Sequence, residues 1–465
     1  MNKTRRDFLK TIGAGAASSL LSSKSSIQAE AASIRPVSQP NILLLLPDQH
    51  RFDWISTTRE IPVRTPALES LSKRGVRFTR AFCPSPLCAP SRASLASGKE
   101  YSRCRVKNNG VDYPLDQTTF YTLLRNAGYR VLGCGKFDLH KASKTWGLEG
   151  KHLLPEWGFS DGIDNAGKWD AINSGKDVPK DPYMFYLEQR KLRETHIQDF
   201  MQRRKTGKSA TFPTLLPDEA YCDNWIGQNG LDLIRGVPRG EPWFLQVNFT
   251  GPHDPWDVTR RMHALYDGVD FPPPNSNTQF DAETHTKIRR NYSEMVENID
   301  RWTSLYIEEL KKRGELENTL IVYSSDHGEM LGDHDRWGKS VPYQPSVGIP
   351  LVAAGPGVKH RVVSDALVSL MDLAATFLDY ADLPIPGDMD SLSLMPLMRG
   401  EKNDHREYVL SGLNDWKLVF DGQYKLVEGF GEGALLFDLK NDPLENNNMA
   451  GKAQDIQSRM HRIIG

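Results

Sequence analysis

Three short apolar runs do most to limit what this chain can fold into. Residues 41–46 (Asn-Ile-Leu-Leu-Leu-Leu), 243–249 (Trp-Phe-Leu-Gln-Val-Asn-Phe) and 320–324 (Leu-Ile-Val-Tyr-Ser) are strand-length and continuous rather than alternating. A strand with one wet face alternates apolar and polar residues. An unbroken apolar run belongs to a strand buried on both faces, as in a parallel sheet covered by helices. Each run stops abruptly at residues that carry chemistry: Pro47-Asp48-Gln49-His50, Gly251-Pro252-His253-Asp254 and Asp326-His327-Gly328. Ligands of open α/β sheets bind beyond the C-terminal strand ends, so these three ends are expected to meet at one site.

Amphipathic stretches at 118–127 and 293–313 predict helices between the runs, and the alternation of strand and helix predicts an α/β domain. The expected architecture is a large mixed, mostly parallel sheet sandwiched by helices over residues 38–384. Residues 140–240 are polar, charged and rich in Gly, Pro and Trp; they read as an insertion over the active-site edge. A last helix is expected at 369–381. After Pro384-Ile385-Pro386-Gly387 the pattern shifts to short segments at 407–410, 416–420, 424–427 and 435–439. These predict a small antiparallel α+β subdomain over residues 385–465.

The N-terminus reads as a targeting segment. Arg5-Arg6 and Phe8-Leu9-Lys10 precede a Gly/Ala/Ser-rich stretch, and Ala29-Glu30-Ala31 is a small-x-small cleavage pattern. Residues 1–31 therefore resemble a twin-arginine (Tat) signal, which implies the Tat translocase as partner and a periplasmic or secreted destination. Removing them takes away five positive and two negative side chains, so the net charge goes from −1 to −4. No overall positive field exists to favour nucleic acid. Downstream no apolar run approaches the roughly 18–20 residues that span a bilayer. The five cysteines are an odd number for an exported chain, so at least one is unpaired or bonded to another chain.

The strongest local signal is Cys88-Ala89-Pro90-Ser91-Arg92-Ala93-Ser94-Leu95-Ala96-Ser97-Gly98. Pro90 suits the first turn of a helix, and a helix N-terminus beside Cys88 is a ready site for an oxyanion. Arg92, one turn on, can return toward the same spot. This segment resembles the C-x-P-S-R signature of the type I sulfatases of the alkaline phosphatase superfamily. The resemblance extends from Pro40-Asn41-Ile42 to Leu436-Phe437-Asp438-Leu439 and beyond.

The resemblance implies an alkaline-phosphatase-like fold and a Cys88 that a dedicated formylglycine-generating enzyme oxidises to formylglycine. It implies a metal site at Asp48, Gln49, Asp326 and His327, completed by residue 88. Carboxylate and amide oxygens suit Ca²⁺. Gln49 and His327 stand where many sulfatases have Asp and Asn, a lower ligand charge that lets Mn²⁺ or Mg²⁺ compete. Gly135-Lys136-Phe137-Asp138-Leu139-His140 resembles the family's G-K-x-H block. Lys136 is expected on a sulfate oxygen; Asp138 occupies the usual histidine position, and His140 is expected to reach the same space. His253 matches the histidine that protonates the leaving alcohol, and Lys339, in Trp337-Gly338-Lys339, matches the second active-site lysine.

The implied activity is hydrolysis of sulfate esters. Export and the tryptophans Trp146, Trp157, Trp169, Trp225 and Trp256 suit stacking on sugars, so the expected substrates are sulfated polysaccharides or oligosaccharides. Algal glycans such as ulvan and glycosaminoglycans are both candidates. His334, Arg336, Asn108 and Asn109 are further candidate substrate contacts. Alternatives are a phosphonate monoester or phosphodiester hydrolase on the same scaffold, and a non-catalytic binder of sulfated glycans.

Overall fold

The computed structural model describes residues 39–464 except 277 and 432, and they form one compact unit. The expected signal at 1–31 lies outside the described residues. Eight strands, β1 (Asn41–Leu45), β2 (Val76–Phe82), β3 (Arg130–Gly135), β4 (Asp161–Asp164), β5 (Trp243–Asn248), β6 (Thr319–Ser324), β7 (Leu351–Ala354) and β8 (Val362–Ser369), build the main sheet. Their order is β4-β3-β5-β1-β6-β7-β2-β8. Only β7 runs against its neighbours, β6 and β2.

The three apolar runs are β5, β1 and β6, side by side at the centre. Their unbroken apolarity has a direct cause. Along β1, Ile42, Leu44 and Leu46 enter one core cluster while Leu43 and Leu45 enter another on the opposite face. Leu320 and Val322 of β6 face the first cluster, Ile321 and Tyr323 the second. Each fully buried Leu or Ile contributes about 1.5–3 kcal/mol, and the buried polar residues of β5 are hydrogen-bonded, Gln246 Nε2 donating to Asn248 Oδ1 at 2.8 Å.

The helices Cys88–Ser97, Phe120–Asn126 and Asp372–Tyr380 supply the first cluster. Pro66–Arg74, Cys222–Arg235 and the long Ala282–Arg313 supply the second. The last begins well before the expected 293. Asp281 caps it by accepting from Thr284 N, and Gly314 closes it in the left-handed region.

Residues 140–240 are less of an insertion than their composition suggests. β4 joins the edge of the main sheet beside β3, and Cys222–Arg235 packs on the sheet. The C-terminal strands β9 (Val409–Leu413), β10 (Trp416–Phe420), β11 (Tyr424–Glu428) and β12 (Leu435–Asp438) form the expected antiparallel sheet. The break near 384 separates two sheets that share one core, while the other face of the C-terminal sheet has a small cluster of its own, Val419, Leu426, Leu436 and Met460. Leu413, Trp416, Leu418, Phe420 and Val427 share one cluster with Phe82 and Leu95 of the main domain.

Candidate active site

The parallel strands β3, β5, β1 and β6 end together at one edge, and each delivers a chemical group there. Beyond β1, Asp48 N donates to Phe249 O and Gly251 O at 3.1 Å, which ties the end of β1 to the loop after β5. Gln49 N donates to Asp326 Oδ1 at 3.0 Å and His50 N to Ser325 Oγ at 2.8 Å, which ties it to the end of β6. Gln49 holds φ 70°, a left-handed conformation uncommon for a side-chain-bearing residue and enriched at functional sites. At the end of β3, Gly135 lies so close to β5 that a Cβ would stand 1.9 Å from Asn248 O. That approach lets Lys136 N donate to Asn248 O.

Cys88 is the first residue of the buried helix Cys88–Ser97. Its Sγ lies 3.3 Å from His327 Nε2, 3.6 Å from Lys136 Nζ and 3.9 Å from Asp48 Oδ1. Asp48, Cys88, Asp326 and His327 each bring one ligand atom, all within 4.8 Å of one another. Arg92 Nε donates to Asp326 Oδ2 at 2.9 Å, and Nη1 donates to Lys136 O at 2.5 Å and Asn248 Oδ1 at 3.2 Å. Its Nη2 is buried without a hydrogen-bond partner among the described residues, 3.7 Å from Asp48 Oδ2. Lys136 Nζ also pairs with Asp48 and lies 3.2 Å from Asp138 Oδ2.

Electrostatics follow from this crowding. Burial pushes the Asp48 carboxyl up, but Lys136, His253, Lys339 and Arg92 outweigh it and hold the group well below the usual carboxylate range. Burial and Asp48 push the Cys88 thiol up, and Lys136, Lys339 and His327 overcome both, so it lies well below an ordinary thiol.

A second pair of groups stands on two loops. Lys339 Nζ lies 2.5 Å from His253 Nε2 and also donates to Gln49 Oε1. His253 Nδ1 donates to Asp254 O at 2.6 Å, which leaves Nε2 to exchange a proton on the Lys339 side.

Two expected site residues make contacts the sequence did not announce. Gln49 Nε2 donates to Glu329 and its Oε1 accepts from Lys339, which joins the residue after Asp48 to the lysine. The buried carboxylate of Glu329 fixes the amide orientation, because a carboxylate must face the NH₂ end. His140 does not join the Cys88 cluster as expected. Its Nε2 lies 2.6 Å from Asp164 Oδ2, against Trp146 and Trp157. Burial pushes His140 down and Asp164 raises it above an ordinary histidine. The residue that reaches Lys136 is Asp138, which Lys141 also pairs with at 2.9 Å.

The tryptophans are corrected too. Trp146 and Trp157 are 1% exposed and Trp256 2%, because they pack in the core, whereas Trp169 is half-buried. Of the other candidate contacts, Asn109 Oδ1 accepts from Ala89 N at 3.1 Å, at the helix start beside Cys88. Asn108 binds Gly110 N and Asn414, His334 stacks on Tyr343, and Arg336 lies over Tyr343 and Phe430. Sequence reasoning missed Glu329 and Asn248. The Asp326-His327-Gly328-Glu329 run placed Glu329 near the site, but nothing in it announced its partner.

A model described as sulfatase matches residues 40–383, and one described as N-sulphoglucosamine sulphohydrolase, C-terminal, matches residues 332–464. The chain belongs to the sulfatase family. An arylsulfatase of Clostridium perfringens is 25% identical over 88% of this chain and 90% of its own length. An N-acetylglucosamine-6-O-sulfatase of Bacteroides thetaiotaomicron is 24% identical over 90% of this chain and 83% of its own. Among solved structures, the phosphonate monoester hydrolase of Agrobacterium radiobacter is similar in fold, with TM-score 0.76 and 20% identity over 91% of this chain and 94% of that one.

As a sulfatase, the protein hydrolyses sulfuric esters, and its site suits that reaction. The donor set of two carboxylates and an imidazole within a few ångströms fits a divalent cation. The open Nη2 of Arg92 adds a buried donor with no protein acceptor, free for an oxygen at residue 88 or on the substrate.

Proposed function

We propose that this sulfatase is exported and acts on sulfate esters of polysaccharides or oligosaccharides, through Cys88 converted to formylglycine and a divalent cation, Ca²⁺ in the first place. One observation carries the reading: the Cys88 side chain stands among Asp48, Lys136 and His327 at the start of a buried helix. Formylglycine supplies a hydrated aldehyde with two hydroxyls, one to attack sulfur and one to drive release of sulfate. Asp48, Gln49, Asp326 and His327 would hold the cation, which would supply Lewis acidity at the sulfuryl oxygens.

The chain's own groups do the rest. Arg92 and Lys136 hold the nucleophilic oxygen of residue 88, and Lys136 and Lys339 neutralise charge on the sulfuryl oxygens as it builds. His253 gives its Nε2 proton to the departing alcohol oxygen as the sulfur–oxygen bond breaks, and recovers one from water. Lys339 Nζ lies 2.5 Å from that nitrogen.

A saccharide substrate is supported by the relative named N-acetylglucosamine-6-O-sulfatase. Ulvan and glycosaminoglycan fragments are the first candidates. Export through the Tat translocase is supported by Arg5-Arg6 and Ala29-Glu30-Ala31; Tat carries folded chains, so conversion of Cys88 by its maturation enzyme would precede it. A second reading, hydrolysis of phosphonate monoesters or phosphodiesters, is favoured by His327 in the donor set.

Mass analysis of the peptide holding residue 88, from enzyme recovered outside the cytoplasm, is expected to find the aldehyde and a chain cleaved after Ala31. Active enzyme with only the thiol would overturn the formylglycine reading. A desulfation screen on defined sulfated oligosaccharides, run beside aryl sulfate and aryl phosphonate esters, is expected to favour sulfated sugars; faster phosphonate turnover would select the second reading.

A further inference from the structure

We propose that the cavity beside His253 is a subsite for a second anionic group, a sulfate or a carboxylate, on the sugar unit next to the ester being cleaved. The inference rests on the saccharide reading above. The cavity holds about 300 Å³ and is walled by Trp169, Arg203, Arg204, Lys208, Asp254 and Trp256.

Its cations are not equivalent. Arg203 is a structural floor, bonded to both oxygens of Asp199 at 2.8 and 3.2 Å and to Ala210 O and Phe212 O. Arg204 is exposed and lies 5.0 Å from the Trp169 ring. It donates to Asn173 Oδ1 at 2.6 Å and has no carboxylate partner among the described residues. Lys208 lies 5.3 Å from the Trp256 ring, with Nζ 3.2 Å from Asp254 Oδ2. Counting Asp199 and Asp254 against Arg203, Arg204 and Lys208, one positive charge is left over, and Arg204 carries it. Trp256 Nε1, buried in the wall, lacks a hydrogen-bond partner among the described residues.

The half-buried Trp169 face beside a guanidinium with open donors suits a sugar ring bearing a planar or tetrahedral anion. Position ties the cavity to the reaction. Asp254 turns Oδ1 to His253 Nδ1 at 3.3 Å and Oδ2 to Lys208 and Trp169 Nε1 at 3.4 Å. One carboxylate therefore separates the cavity from the imidazole that faces the leaving alcohol.

The test compares three monosulfated disaccharides whose neighbouring ring is neutral, carboxylated or sulfated, with an aryl sulfate as reference. Wild type is expected to prefer the two doubly anionic sugars over the neutral one in kcat/KM, with the preference shrinking as salt rises. Arg204→Gln is expected to cut that preference about tenfold through KM, and Arg204→Lys to keep part of it. The carboxylated and sulfated arms tell which anion is taken. Equal preference in wild type and Arg204→Gln, with all sugars cleaved, would overturn the subsite. Turnover of the aryl sulfate but of none of the sugars would overturn the saccharide reading instead.

Discussion

Burial pushes up four of the five thiols in this chain, those of Cys83, Cys104, Cys134 and Cys222, and only Cys88 is held below its ordinary value. Low dielectric alone cannot make that difference, since all five are buried. The cations around Cys88 make it. Of those cations, Lys339 is tied through Gln49 to Glu329, whose Oε1 accepts from Gly338 N at 2.6 Å and Leu331 N at 3.0 Å while Oε2 holds Gln49. Glu329→Gln would put an NH₂ group against a donor and turn the Gln49 amide away from Lys339. The expected result is a fall in kcat of about tenfold to a hundredfold, with KM changing less. Combined with Gln49→Ala, the loss is expected to be markedly less than the sum of the two, because both act through one contact. Additive losses in that double-mutant cycle would remove Glu329 from this role.

At the scale of elements, the site is made by strand ends lying at one level, and β3 reaches that level through Gly135. Two glycines near the ends of β3 hold similar positive φ, Gly128 with φ 94° and Gly135 with φ 99°. A Cβ at Gly128 meets nothing within 4 Å, whereas one at Gly135 collides with the Asn248 backbone. Gly128→Ala is expected to cost about 1–2 kcal/mol from backbone strain alone. Gly135→Ala adds the clash and is expected to exceed about 4 kcal/mol, with Lys136 displaced and activity lost. Urea unfolding of both variants checks the contrast; equal costs would show that the close approach relaxes cheaply.

For the whole molecule, pH dependence of stability has an identifiable source away from the active site. Glu294, on the long helix Ala282–Arg313, is buried with neither oxygen hydrogen-bonded, and its nearest ion-pair partner is His263 at 3.8 Å. Burial raises it from 4.5 to about 8, against the pull of Arg290 and with a further push from Glu297. The folded state thus binds this proton more tightly than the unfolded chain. Its contribution is complete below about pH 4.5, declines as pH rises, and is lost beyond about pH 8. Glu294→Gln is expected to flatten the fall in stability between pH 5 and 9 by about 4 kcal/mol. Denaturant midpoints across that range measure it, and an unchanged slope would assign the pH dependence elsewhere.

The sequence by itself determined the central strands, their two-sided burial and the chemistry at their ends. Those features are local: an apolar run with no polar break has one stable use, and Cys88-Ala89-Pro90-Ser91-Arg92 carries its helix start and cation within a single turn. The C-terminal strands were legible for the same reason. Tertiary structure decided the partners. Gln49 meets Glu329 across 280 positions, and His140 is drawn to Asp164 rather than to Lys136. Most tryptophans fill cores, and two sheets share one cluster. Side-chain type sets what a group can do, but which group it faces depends on where distant strand ends and loops come to rest.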